Sequence, residues 1–171
     1  RGVLGRVSMH RLVLGALGVL ALLALALSFT GLVVPDPLEI LVSAVVLALA
    51  CGVTDFVAQS VLRMPRRLES SLITAAILLF VVRPTVEPLG LAGLVLAGVA
   101  ASLSKYLLAW RGRHIFNPAA AGATVLTVVS VWAPDLGASA WWVGSPWLAA
   151  PVLLLGLLLL ARTDRLAVVF V

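Results

Sequence analysis

The sequence predicts an all-α fold: a polytopic transmembrane helical bundle with six spans and the start of a seventh, forming one transmembrane domain over residues 1–171. Three observations lead there. The chain is 63% hydrophobic and only 11% charged, against about 25% charged in an ordinary soluble domain. Its mean hydropathy is +1.19, and its apolar residues fall in runs near the ~20 residues needed to cross a hydrocarbon core about 30 Å thick. Proline and charge punctuate every boundary between those runs. Too little polar surface remains to cover a water-soluble globule.

The first run, Leu12 to Val34, follows Arg1, Arg6 and Arg11. It has the charge of a signal peptide but is too long for an h-region, and no A-x-A-like site follows closely, so a transmembrane helix is expected. After Pro35-Asp36-Pro37 comes Leu38 to Ser60, which carries Cys51 and Asp55 and ends before Met64-Pro65-Arg66-Arg67. The third run, Ser70 to Val82, makes roughly 20 Å of helix at 1.5 Å per residue, and stops at Arg83-Pro84. Two readings of it stay open. Either it is a short segment lining a protein-buried site, as transporters tolerate, or Leu68-Glu69 and Thr85-Val86 extend it to a full span.

Leu89 to Ala109 is dense in small residues, among them Gly90, Gly93, Ala97, Gly98 and Ala101. Small side chains let helix backbones approach closely in lipid, which places this helix inside a bundle. Asn117 to Ala133 opens on Asn-Pro, a favoured N-cap followed by a residue favoured at the first helical position. Trp142 to Ala161 is the sixth run, and a seventh begins at Leu166. With no Met at the start and "RLAVVFV" reading as a helix cut short, the sequence is read as the N-terminal part of a longer chain.

Charge sets the expected orientation. If the runs cross alternately, every basic residue except Arg83 falls on one side, and the positive-inside rule makes that side cytoplasmic, with the N-terminus inside. The other side collects Asp36, Glu87, Asp135, Trp132, Trp141, Trp142 and Trp147, the tryptophans reading as an interfacial belt. The net charge of +5 does not indicate nucleic acid, because the arginines sit in short clusters between apolar runs and not on one basic face. Cys51 is the single cysteine; it allows no intrachain disulfide or metal cluster and reads as a small packing residue. No Ser-His-Asp set, zinc spacing or P-loop appears, so hydrolytic and metal chemistry have no support and no metal site is expected.

The stretch "RGRHIFNPAAAGATVL", residues 111 to 126, sets Arg111, Arg113 and His114 against a helix start whose first turn is nearly bare. Exposed N–H groups and the positive end of the helix dipole favour an anion there. The residues alone leave open whether the arginines do more than set topology and Asn117 more than cap. Asp55 is the other candidate, for ion or proton movement; pairing with the Arg63 to Arg67 loop is the structural alternative. His114 reads as a phosphate or proton contact or as an interfacial residue, and His10 as interfacial.

"SKYLLAWRGRHIFNPAAAG" resembles the signature of the NqrB/RnfD family, the flavin-carrying membrane proteins of the sodium-translocating NADH:quinone oxidoreductase and of the Rnf electron-transport complex. Lys105, Gly112, Asn117, Pro118, Ala119 and Gly122 fit its helix-end lysine, glycine-containing turn, Asn-Pro-Ala start and following glycine. "ESSLITAAILLFVVRP" resembles the family's short third helix. The termini are similar to a divergent bacterial branch related to membrane-bound FAD/NAD oxidoreductases. The resemblance implies a bacterial inner-membrane component, the first half of a two-repeat fold. It implies electron transfer from an NAD(P)H or ferredoxin reductase module, and a flavin (FMN or riboflavin) near Lys105, Arg111, Arg113, His114, Asn117, Pro118, Gly122 and Thr124. FAD or NAD would enter only through a fused or partner module. Expected partners are the lipid bilayer, a soluble reductase domain or subunit, and other electron-transport subunits.

One departure matters. Family members that attach FMN covalently use the threonine of a Ser-Gly-Ala-Thr a few tens of residues after Asn-Pro-Ala, and this chain has "GSPWLAAPVLLLG" there. Its Gly122-Ala123-Thr124 comes too early, so the covalent role is not carried to Thr124 and a non-covalent flavin is expected. Two other functions stand beside electron transfer: a redox-silent transporter or channel half, and a membrane anchor for a soluble reductase. No catalytic residue is assigned.

Overall fold

The computed structural model describes residues 9–65, 68–110, 113–114 and 116–162. Among these residues the chain forms six α-helices: α1 Met9–Phe29, α2 Pro37–Val61, α3 Leu68–Val81, α4 Pro88–Leu107, α5 Pro118–Ser130 and α6 Pro146–Arg162. A two-residue hairpin, β1 Ala109–Trp110 with β2 Arg113–His114, joins α4 to α5. Pro37, Pro88, Pro118 and Pro146 each occupy the first helical position, where the missing N–H costs nothing and the fixed φ already suits a helix. The Asp36 N–H, just before α2, is taken by the Glu39 carboxylate at 3.0 Å.

The six expected helices are present, but their lengths divide them. Helices α1, α2 and α4 are long and apolar enough to cross a membrane, at 21, 25 and 20 residues. Helices α3 and α5 have only 14 and 13 residues, about 21 and 20 Å at 1.5 Å per residue. By length and composition, then, the structure gives three spanning helices and not six. The seventh expected span lies outside the described residues.

Boundaries shift for local reasons. The first helix stops at Phe29, short of Val34, because Gly31 takes φ +72° and turns the chain. The 3.0 Å bond from Gly31 N–H to the Ser28 carbonyl closes that end. The sixth helix starts four residues late: Trp142–Gly144 is a 3₁₀ turn, and α6 begins after it at Pro146.

Helix α3 ends at Val81, and Arg83 to Val86 carry no regular structure, since a residue before proline is steered out of the α region. It therefore takes the N-terminal extension from Leu68 but not the C-terminal one. The last carbonyls of any helix lack partners within it; here two are taken by the loop after α5. The Trp142 indole N–H donates to the Leu79 carbonyl at 2.7 Å, and the Ala140 N–H donates to Val81 at 2.8 Å. Trp142 thus turns inward against Phe80, while Trp132, Trp141 and Trp147 are exposed. Trp142→Phe keeps the ring contact and leaves the Leu79 carbonyl unpaired. It should lower stability by about 1–3 kcal/mol, measured as melting temperature in detergent.

Helix α2 packs on α3 and α4, α5 on α4, and α1 on α3 and α6. The segment after α3 is held to α2 by Ser43, whose Oγ accepts from the Thr85 N–H at 2.9 Å and pairs with its carbonyl at 3.2 Å. Arg11 at the start of α1 pairs with Glu69 at the start of α3, 2.9 Å apart. These contacts put the N-terminal ends of α1 and α3 side by side and the N-terminal part of α2 beside the segment after α3. Arg83 comes beyond the C-terminus of α3.

The core is built on one stripe of α2: Ile40, Ser43, Leu47, Cys51, Asp55 and Gln59, all buried. Positions four apart share a face, so this stripe is the seam against α3 and α4. On α4, a Cβ at Gly98 would sit 2.8 Å from the Ala50 side chain, and one at Gly93 only 1.9 Å from the Leu136 carbonyl oxygen. The small residues of α4 mark close helix approach, as the sequence implies.

Candidate functional site

A wholly apolar seam would need no charge, yet α2 and α4 each bring one into it. Asp55 and Lys105 are buried, and Lys105 Nζ lies 2.6 Å from Asp55 Oδ2, with side-chain exposures of 2% and 4%. Asp55 stands six residues before the end of α2, about 9 Å in at helical rise. An isolated ion is costly in so dry a place, and it persists where it is paired and its remaining hydrogen-bonding capacity is filled.

Neighbouring side chains fill that capacity. Ser71 Oγ, on the first turns of α3, donates to Asp55 Oδ2 at 2.5 Å, and Tyr106 Oη donates to Oδ1 at 3.1 Å. Gln59 Nε2 donates to Tyr106 Oη at 3.1 Å, and Lys105 Nζ reaches the Ser70 carbonyl at 3.4 Å. Three helices thus converge on one carboxylate. Cys51, one turn further in, directs its Sγ to the Gly98 carbonyl at 3.7 Å, and Ser102 Oγ donates to the Cys51 carbonyl at 3.3 Å. It is the packing residue that its setting suggests.

Asp55 pairs with Lys105; of the Arg63 to Arg67 loop expected as its alternative partner, Arg66 and Arg67 lie outside the described residues. Asp55 lies one and a half turns inside the helix, facing α3 and α4. Lys105, grouped by resemblance with the turn before α5, likewise points into the bundle. Ser71, Tyr106 and Gln59 were not singled out by sequence. Their signal was weak: polar residues on a helix face that becomes legible only once the helices are set side by side.

At the turn, Asn117 caps α5 as expected, its Oδ1 accepting the Ala119 N–H at 3.0 Å. Pro118 has no N–H and Ala121 donates to the Asn117 carbonyl, so Ala120, which is exposed, is the first-turn amide left for an outside anion. Gly122 does not face that opening. It sits against α4, where a Cβ would come 2.3 Å from the Ala97 carbonyl oxygen. Thr124 is exposed and bonds back to the Ala120 carbonyl at 2.8 Å.

Arg113 and His114 form β2 opposite Trp110 and Ala109; Arg111 and Gly112 lie outside the described residues. The structure therefore separates the expected site residues. Lys105 joins Asp55, Gly122 serves helix packing, and Asn117, Pro118, Ala120 and Thr124 line an open helix start. Toward a phosphate, that helix start offers, among the described residues, the exposed Ala120 amide. Among residues whose side chains are described it offers no cation, since Lys105 is engaged with Asp55. No group of three or more His, Cys, Asp or Glu side chains able to hold a metal occurs among the described residues. No family model matches the chain, and no curated protein or solved structure matches it.

Proposed function

We propose that this chain is an integral membrane component of an electron-transport system, similar to the NqrB/RnfD type, in which the Asp55–Lys105 pair is the ion-handling element. The observation that carries the reading is the buried pair itself. An ionisable residue kept inside a membrane bundle marks an ion or proton pathway by default, and one partner is Lys105, the helix-end lysine of the resemblance. Helices α1, α2 and α4 support the membrane setting. Multi-pass insertion in a bacterial inner membrane, with the N-terminus cytoplasmic, is part of the same proposal.

In this reading a non-covalent flavin would be held near the turn before α5. Asn117 would fix the helix start, Ala120 would offer its amide, and Arg111, Arg113 and His114 would supply charge. When bound, the flavin would accept and pass on electrons delivered by a soluble NAD(P)H or ferredoxin reductase module. The chain's own residues orient the group and set its electrostatics. Arg113→Ala should then lower flavin occupancy of the purified protein with folding intact, read from its visible absorption against protein concentration. Unchanged occupancy removes the phosphate contact from the account.

The same ion pair and the short α3 favour a second reading, a redox-silent transporter or channel half. The two are separated by Asp55→Asn. In a coupled electron-transport component it should abolish coupled ion movement while electron transfer continues; in a redox-silent transporter there is no electron transfer to retain.

A further inference from the structure

We infer that the oxygens around Lys105 Nζ form a binding site for one small monovalent cation, with the Lys105 ammonium as its tethered occupant. A free cation, ammonium or alkali, takes that place when the lysine side chain swings out past Tyr106. The inference deepens the ion-handling part of the proposed function and rests on that part alone, independent of electron transfer.

The donor set comes first. Nζ contacts Asp55 Oδ2 at 2.6 Å and the Ser70 carbonyl at 3.4 Å, while Ser71 Oγ and Tyr106 Oη bind the same carboxylate. The two that touch Nζ are hard oxygen donors from α2 and α3, the ligand type that non-transition cations prefer, and Ser71 and Tyr106 hold the carboxylate in place. The nearby sulfur of Cys51 is directed to Gly98 instead.

Charge comes second. In a dry interior one carboxylate tolerates one positive charge; zero or two leave a net buried charge at large cost. The site therefore exchanges cations one for one. Lys105 carries its charge on a flexible four-carbon stem and sits two residues before the end of α4, where long side chains can extend to the membrane interface and stay charged. Tyr106, beside it, is half-buried.

Access comes third. On the inner side of the pair Leu47, Leu78 and Leu94 are 0–1% exposed, a closed apolar layer. Exchange is therefore with the α2/α4 C-terminal end alone.

Lys105→Ala removes the tethered occupant. In detergent, replacing choline chloride by ammonium, sodium or potassium chloride at equal ionic strength should raise its melting temperature by several degrees, because a ligand that binds only the folded state stabilises it. Combining it with Asp55→Asn should abolish the rise. Equal melting in all the salts, or a rise that survives Asp55→Asn, overturns the site. Should Lys105→Ala fail to fold, the wild-type protein decides. Lys105 is the one lysine in the sequence, and its acylation by an amine-reactive reagent, read by peptide mass, should increase several-fold when a small cation replaces choline. Unchanged acylation means the cation does not displace Lys105 and overturns the inference. Neither measurement needs a flavin or an electron donor, so a failure of the electron-transport reading leaves both results interpretable.

Discussion

Lys105→Met lowers the stability of the bundle by about 3–5 kcal/mol in the absence of a substitute cation, the cost of leaving one member of a buried ion pair uncompensated. The mechanism is desolvation. Asp55 is nearly fully enclosed and has a short side chain, so it is not hydrated when its partner goes. Asp55→Leu costs less, because the flexible Lys105 side chain can extend to the interface and stay charged. Combining the two substitutions removes both charges and is expected to recover most of the loss, since an apolar pair of similar volume is often as stable as the ion pair it replaces. Melting temperature in one detergent, for the four proteins of that cycle, checks this. Additive losses would mean that the two side chains do not depend on each other.

Gly93→Val is the second change with a large expected effect. A Cβ at Gly93 would stand 1.9 Å from the Leu136 carbonyl oxygen and 2.9 Å from its carbon. That neighbour is backbone, in the 3₁₀ turn Pro134–Leu136, so no rotamer change relieves it. The added methyls of valine must push the turn off α4. Overpacking of this kind costs about 1–3 kcal/mol or more, and the displaced turn carries the loop that bonds to the carbonyls of α3. Gly52→Ala is the internal comparison: a Cβ there meets nothing within 4 Å, and alanine is the better helix former by about 1 kcal/mol. Gly52→Ala should match or exceed the parent in melting temperature, while Gly93→Val falls well below it.

How much of this was legible beforehand depends on the kind of signal. Helix positions were, because apolar runs and Asn-Pro or Asp-Pro starts are local: Pro37, Pro88 and Pro118 open helices within a residue of expectation. Helix lengths were less so. Trp142 reads as the start of a span by composition, and only the carbonyls left bare at the end of α3 explain why it turns inward instead. Asp55 was visible as an oddity, a carboxylate in an apolar run. Its partner was not, since Lys105 is fifty residues away and the nearer arginines look equally suitable; which helix faces which decides it. Gly122, placed by resemblance near the flavin, packs against α4, where a Cβ would meet the Ala97 carbonyl.

The electron-transport reading stands or falls on one spectrum: the visible absorption of the purified protein in detergent, taken before and after acid precipitation. The account predicts a flavin band that leaves with the supernatant, since no threonine stands where covalent attachment would need it. A band that stays with the pellet would contradict the non-covalent assignment and return attention to Thr124. No band at all, in folded protein from cells supplied with flavin, would contradict the electron-transfer reading and leave the transporter or the anchor in its place.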